Sequence, residues 1–154
     1  MSNLYKLMIV DDEFFICDGL MSFHWKELGF EAVSCAYNGE EALEKLEKEL
    51  VDVIITDIKM PFMDGIELIE RVSSQFPKIK IILLTGYKEF EYAKAAIKSG
   101  VSDYLLKPVD LNELTTLFVK LKKKLDEESQ IPNMLKTYKK LISESLPLAA
   151  EKFL

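Results

Sequence analysis

The chain has 154 residues, a formal net charge of −6, 49% hydrophobic and 30% charged residues, the profile of one ordinary globular domain with a short appendage. No apolar run is long enough to span a bilayer, the acidic balance disfavours nucleic-acid binding by this segment itself, and the single histidine, His24, leaves little for a histidine-based metal site or a Ser-His-Asp triad. Met1-Ser-Asn-Leu-Tyr-Lys6 leads straight into the first predicted strand, so no signal peptide and a cytoplasmic location are expected, and Cys17 and Cys35, which lack CxxC spacing, read as buried or half-buried thiols of a reducing cytosol.

The first strand is predicted over Tyr5–Val10. Phe14–Phe23 follows with Phe14, Phe15, Cys17, Leu20 and Met21 at helical spacing. A shorter strand covers Glu31–Ala36. Asn38-Gly-Glu-Glu41 then opens a helix with an N-cap and a glutamate three residues on, and that helix is expected to run through Leu43, Leu46 and Leu50. Val51–Thr56 is a β-branched apolar run that reads as a buried strand. A helix from about Gly65 to Phe76 would bury Ile66, Ile69 and Val72. Ile79–Leu84 is the fourth strand, and the helix after it, about Phe90–Ser99, meets its C-cap at Gly100. Asp103–Leu106 is the fifth strand. Asp110-Leu-Asn-Glu113 is a second capping box, starting a helix through Leu114, Leu117, Phe118, Leu121 and Leu125.

Strands and helices alternate with short connections, which predicts a parallel sheet covered by helices on both faces. Five such units suit the flavodoxin-like order 2-1-3-4-5. That order matters because of what stands at the strand ends: Asp11 and Asp12 after the first strand, Asp57 after the third, Thr85 after the fourth and Lys107 after the fifth. Adjacent strands lie ~4.8 Å apart, so Asp57 is expected beside Asp11 and Asp12 on one side and Thr85 on the other, with Lys107 roughly 10 Å away at the backbone. Open α/β sheets bind ligands at this carboxyl edge. Two carboxylates ~5 Å apart repel by roughly 3 kcal/mol at an effective dielectric of 20, which is reason to expect a cation among them. An acid pair, an acid, a hydroxyl and an amine converging in one crevice are the parts of a Mg²⁺-assisted phosphoryl-acceptor site. Asp64 reads differently, as a turn former beside Gly65.

Ile9-Val-Asp-Asp-Glu13, Thr56-Asp-Ile-Lys-Met-Pro-Phe-Met-Asp-Gly65, Leu84-Thr85 and Leu106-Lys-Pro-Val109 stand in the order of a receiver domain. Together they make residues from about 5 to 125 resemble the receiver of bacterial two-component response regulators. Leu84-Thr-Gly-Tyr-Lys-Glu-Phe-Glu-Tyr-Ala-Lys94, Trp25-Lys-Glu-Leu-Gly-Phe30 and Glu144-Ser-Leu-Pro147 look like the subgroup whose output is an AraC-type DNA-binding domain. That output domain is not in this sequence, so the resemblance assigns DNA binding to a longer parent chain.

The resemblance implies a role for each residue. Asp57 takes a phosphoryl group from a sensor histidine kinase. Asp12, Asp57 and the backbone carbonyl of Lys59 hold Mg²⁺ or Mn²⁺ directly, and Asp11 acts through metal-bound water. Lys107 pairs with phosphoryl oxygens, and the Lys107–Pro108 bond is expected to be cis. Thr85 binds a phosphoryl oxygen and Tyr104 turns inward as it moves, a two-state switch read out on the face around the fifth strand. Thr85 equally suits a β-branched strand end, and Tyr104 a half-buried aromatic on an edge strand. Lys59 and Tyr87, two residues beyond Asp57 and Thr85, flank the path of attacking water and would tune dephosphorylation; both also suit ordinary loop positions.

After Leu125 the character changes. Asp126-Glu-Glu-Ser-Gln130 reads as a linker, Pro132 suits the first turn of a new helix, and Ile131, Leu135, Tyr138, Leu141 or Ile142 and Leu146 form an apolar stripe before Pro147. Residues 126–154 are therefore expected to lead toward the output domain, and periodicity leaves open whether the stripe dimerises, as a homodimer formed on phosphorylation would need, or packs within the chain. The basic run Lys120-Leu-Lys-Lys-Lys124 reads as a favourable helix end followed by acids. No membrane partner is expected. Three other classes fit less well. An aspartyl phosphatase resembling the haloacid dehalogenases needs Asp-x-Asp after the first strand, and a flavin carrier needs a Ser/Thr/Gly-rich loop where Asp11-Asp12-Glu13 would repel phosphate. A constitutive interaction domain would not need the full set of five site residues.

Overall fold

The computed structural model describes residues 4–86, 88, 91, 94 and 100–145, with the side chains of 130–140 and 142–145 set aside. Strands β1 (Tyr5–Val10), β2 (Phe30–Ala36), β3 (Val53–Asp57), β4 (Lys80–Thr85) and β5 (Asp103–Leu106) form one parallel sheet in the order β2-β1-β3-β4-β5. This is the predicted flavodoxin-like arrangement. Helices α1 (Phe14–Met21), α2 (Gly39–Lys48), α3 (Gly65–Gln75) and α4 (Leu111–Ser145) and a 3₁₀ turn (Trp25–Leu28) complete the described elements. Of the helix expected at about Phe90–Ser99, Glu91 and Lys94 are described and helical, and Gly100, expected as its C-cap, is itself helical; the rest lies outside the described residues.

The sheet is dry because its inner strands are apolar on both faces. Every residue of β3 is buried, as are Leu7–Val10 and Ile81–Thr85. Alternation along the strands divides these residues between two layers. Met8, Val10 and Ile54 join Leu46 of α2 and Leu68, Ile69 and Val72 of α3 in one cluster. Leu7 and Ile9 point to the opposite face, where α1 buries Cys17 and Leu20. Full burial of each such aliphatic side chain contributes roughly 1.5–3 kcal/mol.

Local sequence chemistry sets the helix starts. Asn38 Oδ1 accepts from Glu41 N at 2.9 Å, and the Glu41 carboxylate reaches back to the N–H of Tyr37 at 3.1 Å. Asp110 Oδ1 accepts from Asn112 N at 2.8 Å and Glu113 N at 3.2 Å. Asp64, expected only as a turn former, caps α3 through Glu67 N at 2.9 Å.

Two boundaries and one burial pattern depart from expectation. α2 stops at Lys48 because Glu49 turns extended so that the chain can enter β3, and Leu50 is left 90% exposed. Phe14 and Phe15, at helical spacing with the core residues Cys17 and Leu20, are exposed at the start of α1. The expected linker at Asp126–Gln130 is helical, and α4 runs unbroken past Pro132. Polar residues there do not break a helix, and Lys122 pairs with Asp126 one turn on at 2.7 Å. Of the predicted stripe after Gln130, Leu141 has a described side chain, and it is 56% exposed. One compact unit ends at Leu117 and a second begins at Phe118.

Candidate functional site

The carboxyl ends of β1, β3 and β5 bring Asp11, Asp12, Asp57 and Lys107 together. Asp57 is the last residue of β3, not the residue beyond it, and its carboxylate is almost wholly buried. Oδ1 accepts from the N–H of Ile58 at 2.9 Å. The loop that leaves Asp57 folds back tightly: the Gly65 N–H donates to the Ile58 carbonyl at 2.7 Å. A Cβ on Gly65 would stand 2.1 Å from the Asp57 carbonyl oxygen, so no other residue fits this approach.

Asp11 is fully buried, and its loop is held from three sides. Its N–H donates to the Ala36 carbonyl at the end of β2 at 3.0 Å. Its Oδ1 accepts from Glu13 N at 2.9 Å, and its carbonyl accepts from the Cys17 thiol at 3.3 Å. Asp12, the next residue, is exposed. Carboxylate oxygens of Asp11, Asp12 and Asp57 all lie within 4.8 Å of one another.

Lys107 enters from β5. Its N–H donates to the Thr85 carbonyl at 2.7 Å, and the Lys107–Pro108 bond is cis as expected. Its Nζ lies 3.1 Å from Asp11 Oδ2, 3.3 Å from Asp57 Oδ1 and 3.8 Å from Glu13 Oε1. One ammonium therefore faces several acids. Burial, and then the neighbouring Asp11 charge, push the Asp57 carboxyl up to about 6 against the pull of Lys107. Burial also raises Asp11, opposed by the Glu13 N–H and by Lys107. Burial works against the charge of Lys107, but Asp57 and Asp11 together outweigh it and hold the amine above its ordinary value.

The negative excess has a chemical consequence. Asp11 Oδ2 is buried and, apart from the ion pair, has no well-aligned hydrogen-bond donor. Hard oxygens at this spacing, one of them short of partners, fit a small divalent cation. Asp11, Asp12 and Asp57 are the side chains that could hold it.

The other predicted residues are placed less directly. Thr85 is fully buried, but its hydroxyl donates to the Gly86 carbonyl at 3.0 Å. Tyr104 is 39% exposed on the edge strand β5. Lys59 is exposed in the loop after β3. Tyr87 lies outside the described residues. Glu13 and Gly65 are site residues that the sequence reading passed over. Each closes a receiver-like segment, Glu13 the acid run Asp11-Asp12-Glu13 and Gly65 the stretch Thr56–Gly65, but the part Gly65 plays comes from the return of its N–H to Ile58.

Residues 7–118 match the family model described as the response regulator receiver domain. The chain belongs to that family. As a receiver it is a phosphoacceptor signalling domain. It is 46% identical over 112 residues to the uncharacterized transcriptional regulatory protein YesN of Bacillus subtilis, covering 72% of this chain and 30% of that protein. It is 36% identical over 126 residues to the transcriptional regulatory protein HptR of Staphylococcus aureus, covering 81% and 49% respectively. The receiver thus spans about a third to a half of the length of these curated relatives. Among solved structures, the REC domain of AraT, a response regulator from Geobacillus stearothermophilus, superposes with a TM-score of 0.77 at 42% identity, over 82% of this chain and 98% of that one. A two component transcriptional regulator AraC from Clostridium phytofermentans gives 0.73 at 35%, over 82% and 99%. Among the described residues, no helix is long and apolar enough to cross a membrane.

Proposed function

We propose that this receiver accepts a phosphoryl group on Asp57 from a sensor histidine kinase in the cytoplasm and thereby controls an AraC-type DNA-binding output in a longer parent chain. The observation that carries this reading is Lys107 Nζ standing within 3.3 Å of both Asp11 and Asp57 beside the exposed acid Asp12. A carboxylate oxygen of Asp57 attacks phosphorus, the P–N bond of the phosphohistidine breaks, and its electron pair returns to the imidazole. Lys107 gathers the charge of the equatorial oxygens, and the packed strand ends fix the line of attack. Asp12, Asp57 and the Lys59 carbonyl would hold Mg²⁺ or Mn²⁺, with Asp11 acting through water. When bound, the cation neutralises the carboxylates and the incoming phosphoryl group.

Thr85 and Tyr104 form the switch in this reading. The Thr85 hydroxyl leaves the Gly86 carbonyl for a phosphoryl oxygen, and Tyr104, now exposed, turns into the space released. Lys59 and Tyr87 adjust how easily water reaches the acyl phosphate. Residues 126–154 connect receiver to output, and α4 carries the connection as a helix. The relatives that are transcriptional regulators, and the AraT and AraC names of the structural neighbours, support the choice of output.

The test is intact-protein mass after incubation with acetyl phosphate and Mg²⁺. A phosphate-sized gain is expected in the wild type, and none in Asp57→Asn or after chelation. A gain that survives Asp57→Asn would place the acceptor elsewhere.

A further inference from the structure

A pair of thiols lies behind the acid crevice. Cys17 is buried on the face of α1 that packs on the sheet, and Cys35 is half-buried on β2. Strand register brings them to one place. Cys35 pairs with Ile9 across the β1–β2 ladder. Paired residues of a parallel ladder point to the same side, and Ile9 points to the side that α1 covers. The two thiols are close enough for each to alter the ionisation of the other. A single buried cysteine is a small apolar residue, but two facing thiols are also the makings of a disulfide.

The pair adjoins two of the three ties that hold the Asp11 loop. The Cys17 thiol donates to the Asp11 carbonyl at 3.3 Å. Ala36, the residue after Cys35, accepts from the Asp11 N–H at 3.0 Å. The same Asp11 carries a carboxylate of the crevice. The two thiols are unequal. Burial pushes both up and slows them toward oxidants that need a thiolate. At Cys35 the Cys17 thiol and the Lys45 ammonium, which also donates to the Cys35 carbonyl, pull the other way. Cys35 is also the thiol that solvent reaches.

We infer that Cys17 and Cys35 are a redox site, joined by hydrogen peroxide into a reversible disulfide that loosens the Asp11 loop and slows phosphoryl acceptance. In a reducing compartment such a disulfide is a transient signal and not a staple. The Cys35 sulfur attacks a peroxide oxygen, the O–O bond breaks, and one water leaves while Cys35 becomes a sulfenic acid. The Cys17 sulfur then attacks the Cys35 sulfur, the S–O bond breaks, and the hydroxyl leaves with the Cys17 proton as a second water. The two thiols lose two electrons and two protons, and the peroxide gains them. Cys17 then has no proton to donate, so the Asp11 carbonyl loses that tie. The link itself is independent of what Asp57 does; its effect on uptake rests on the phosphoacceptor reading.

The folded chain is treated with hydrogen peroxide, free thiols are alkylated, and the digest is mapped without reduction. A Cys17–Cys35 link within one chain, removed by dithiothreitol, is expected. Acetyl phosphate uptake with Mg²⁺ is then followed by intact mass in the reduced, oxidised and re-reduced protein. Oxidation should slow uptake about two- to tenfold, the range of one lost hydrogen bond, and dithiothreitol should restore it. Restoration separates the disulfide from methionine sulfoxide, which dithiothreitol leaves in place. Cys35→Ala should take up phosphate at the wild-type rate and lose the response to peroxide. Unlinked cysteines after peroxide, Cys35 oxidised without a link, or a link between two chains would overturn the site. A link that leaves uptake unchanged, or a peroxide effect that survives in Cys35→Ala, would overturn the coupling to Asp11. If the reduced protein takes up no phosphate, the coupling falls together with the phosphoacceptor reading, and the mapped digest still decides the link.

Discussion

At the scale of single residues, the site is a group of charges that the fold holds close at a cost. Burial, with the Asp11 charge beside it, pushes the Asp57 carboxyl up to about 6 in the folded chain against 3.8 for a free aspartate, so the folded state keeps its proton over a range where the unfolded chain has lost it. Folding therefore takes up a proton in that window, and stability falls as pH rises from about 4 to about 6. Above the window the ionised group costs about 3 kcal/mol, less whatever a cation restores. Asp57→Asn removes the charge while leaving Lys107 its contact with Asp11. It is expected to raise the unfolding free energy at pH 7 by about 1–3 kcal/mol in chelator and to change it little at pH 4. Urea unfolding at the two pH values checks this, and an equal effect at both would show that Asp57 is not strained by its charge. The acids and Lys107 were legible in the sequence because each stands at the end of an apolar run, and strand order alone brings such ends together. Glu13 and Gly65 were not singled out, since their roles come from loop paths: Glu13 from the turn into α1, Gly65 from the return of its N–H to Ile58.

At the scale of elements, the loop from β3 to α3 shows how a cap and a close approach divide the work. Asp64 caps α3 through one hydrogen bond to Glu67 N, so Asp64→Ala should cost about 1 kcal/mol and leave the crevice intact. Gly65→Ala is a smaller chemical change with a larger expected effect. Its methyl group meets backbone, the Asp57 carbonyl at 2.1 Å and the Ile58 Cα at 2.8 Å, neither of which can swing aside. A loss of about 2–3 kcal/mol is expected, with slower phosphate uptake because the acceptor itself must shift. Thermal unfolding of the two variants together with acetyl phosphate uptake decides it; a Gly65→Ala protein as stable and as fast as Asp64→Ala would mean that the loop yields without moving Asp57. The capping residues Asn38 and Asp110 were readable because an N-cap is local chemistry. Element ends were less so. Leu50 continues the apolar spacing of α2 but falls where the chain has already turned toward β3. The change of character at Asp126–Gln130 does not end the helix, and no new helix starts at Pro132, because helix continuity depends on backbone propensity and not on polarity.

At the scale of the whole molecule, the chain carries a net charge of −6 and concentrates part of that excess at one edge of its sheet. A ligand that binds only the folded state adds its binding free energy to folding, about 2.7 kcal/mol at a hundred times Kd. A divalent cation at Asp11, Asp12 and Asp57 should therefore stabilise the receiver as a whole, and the effect should depend on pH through Asp57. With its carboxyl pushed up to about 6, the cation must compete with a proton below that value and meets a free carboxylate above it. At pH 7.5, saturating Mg²⁺ is expected to raise the thermal midpoint by about 5–10 °C over the chelated protein. At pH 5 the gain should shrink to a small fraction of this, and in Asp57→Asn it should be small at both pH values. Bulk screening of the net charge would behave otherwise, because it depends on ionic strength and not on one titration. Differential scanning fluorimetry with Mg²⁺, and with a monovalent salt at matched ionic strength, separates the two. A gain that follows ionic strength, or that survives Asp57→Asn at full size, would place the cation away from the strand ends. A gain that appears only as Asp57 ionises would tie the stability of the whole domain to the oxygen proposed to receive the phosphoryl group.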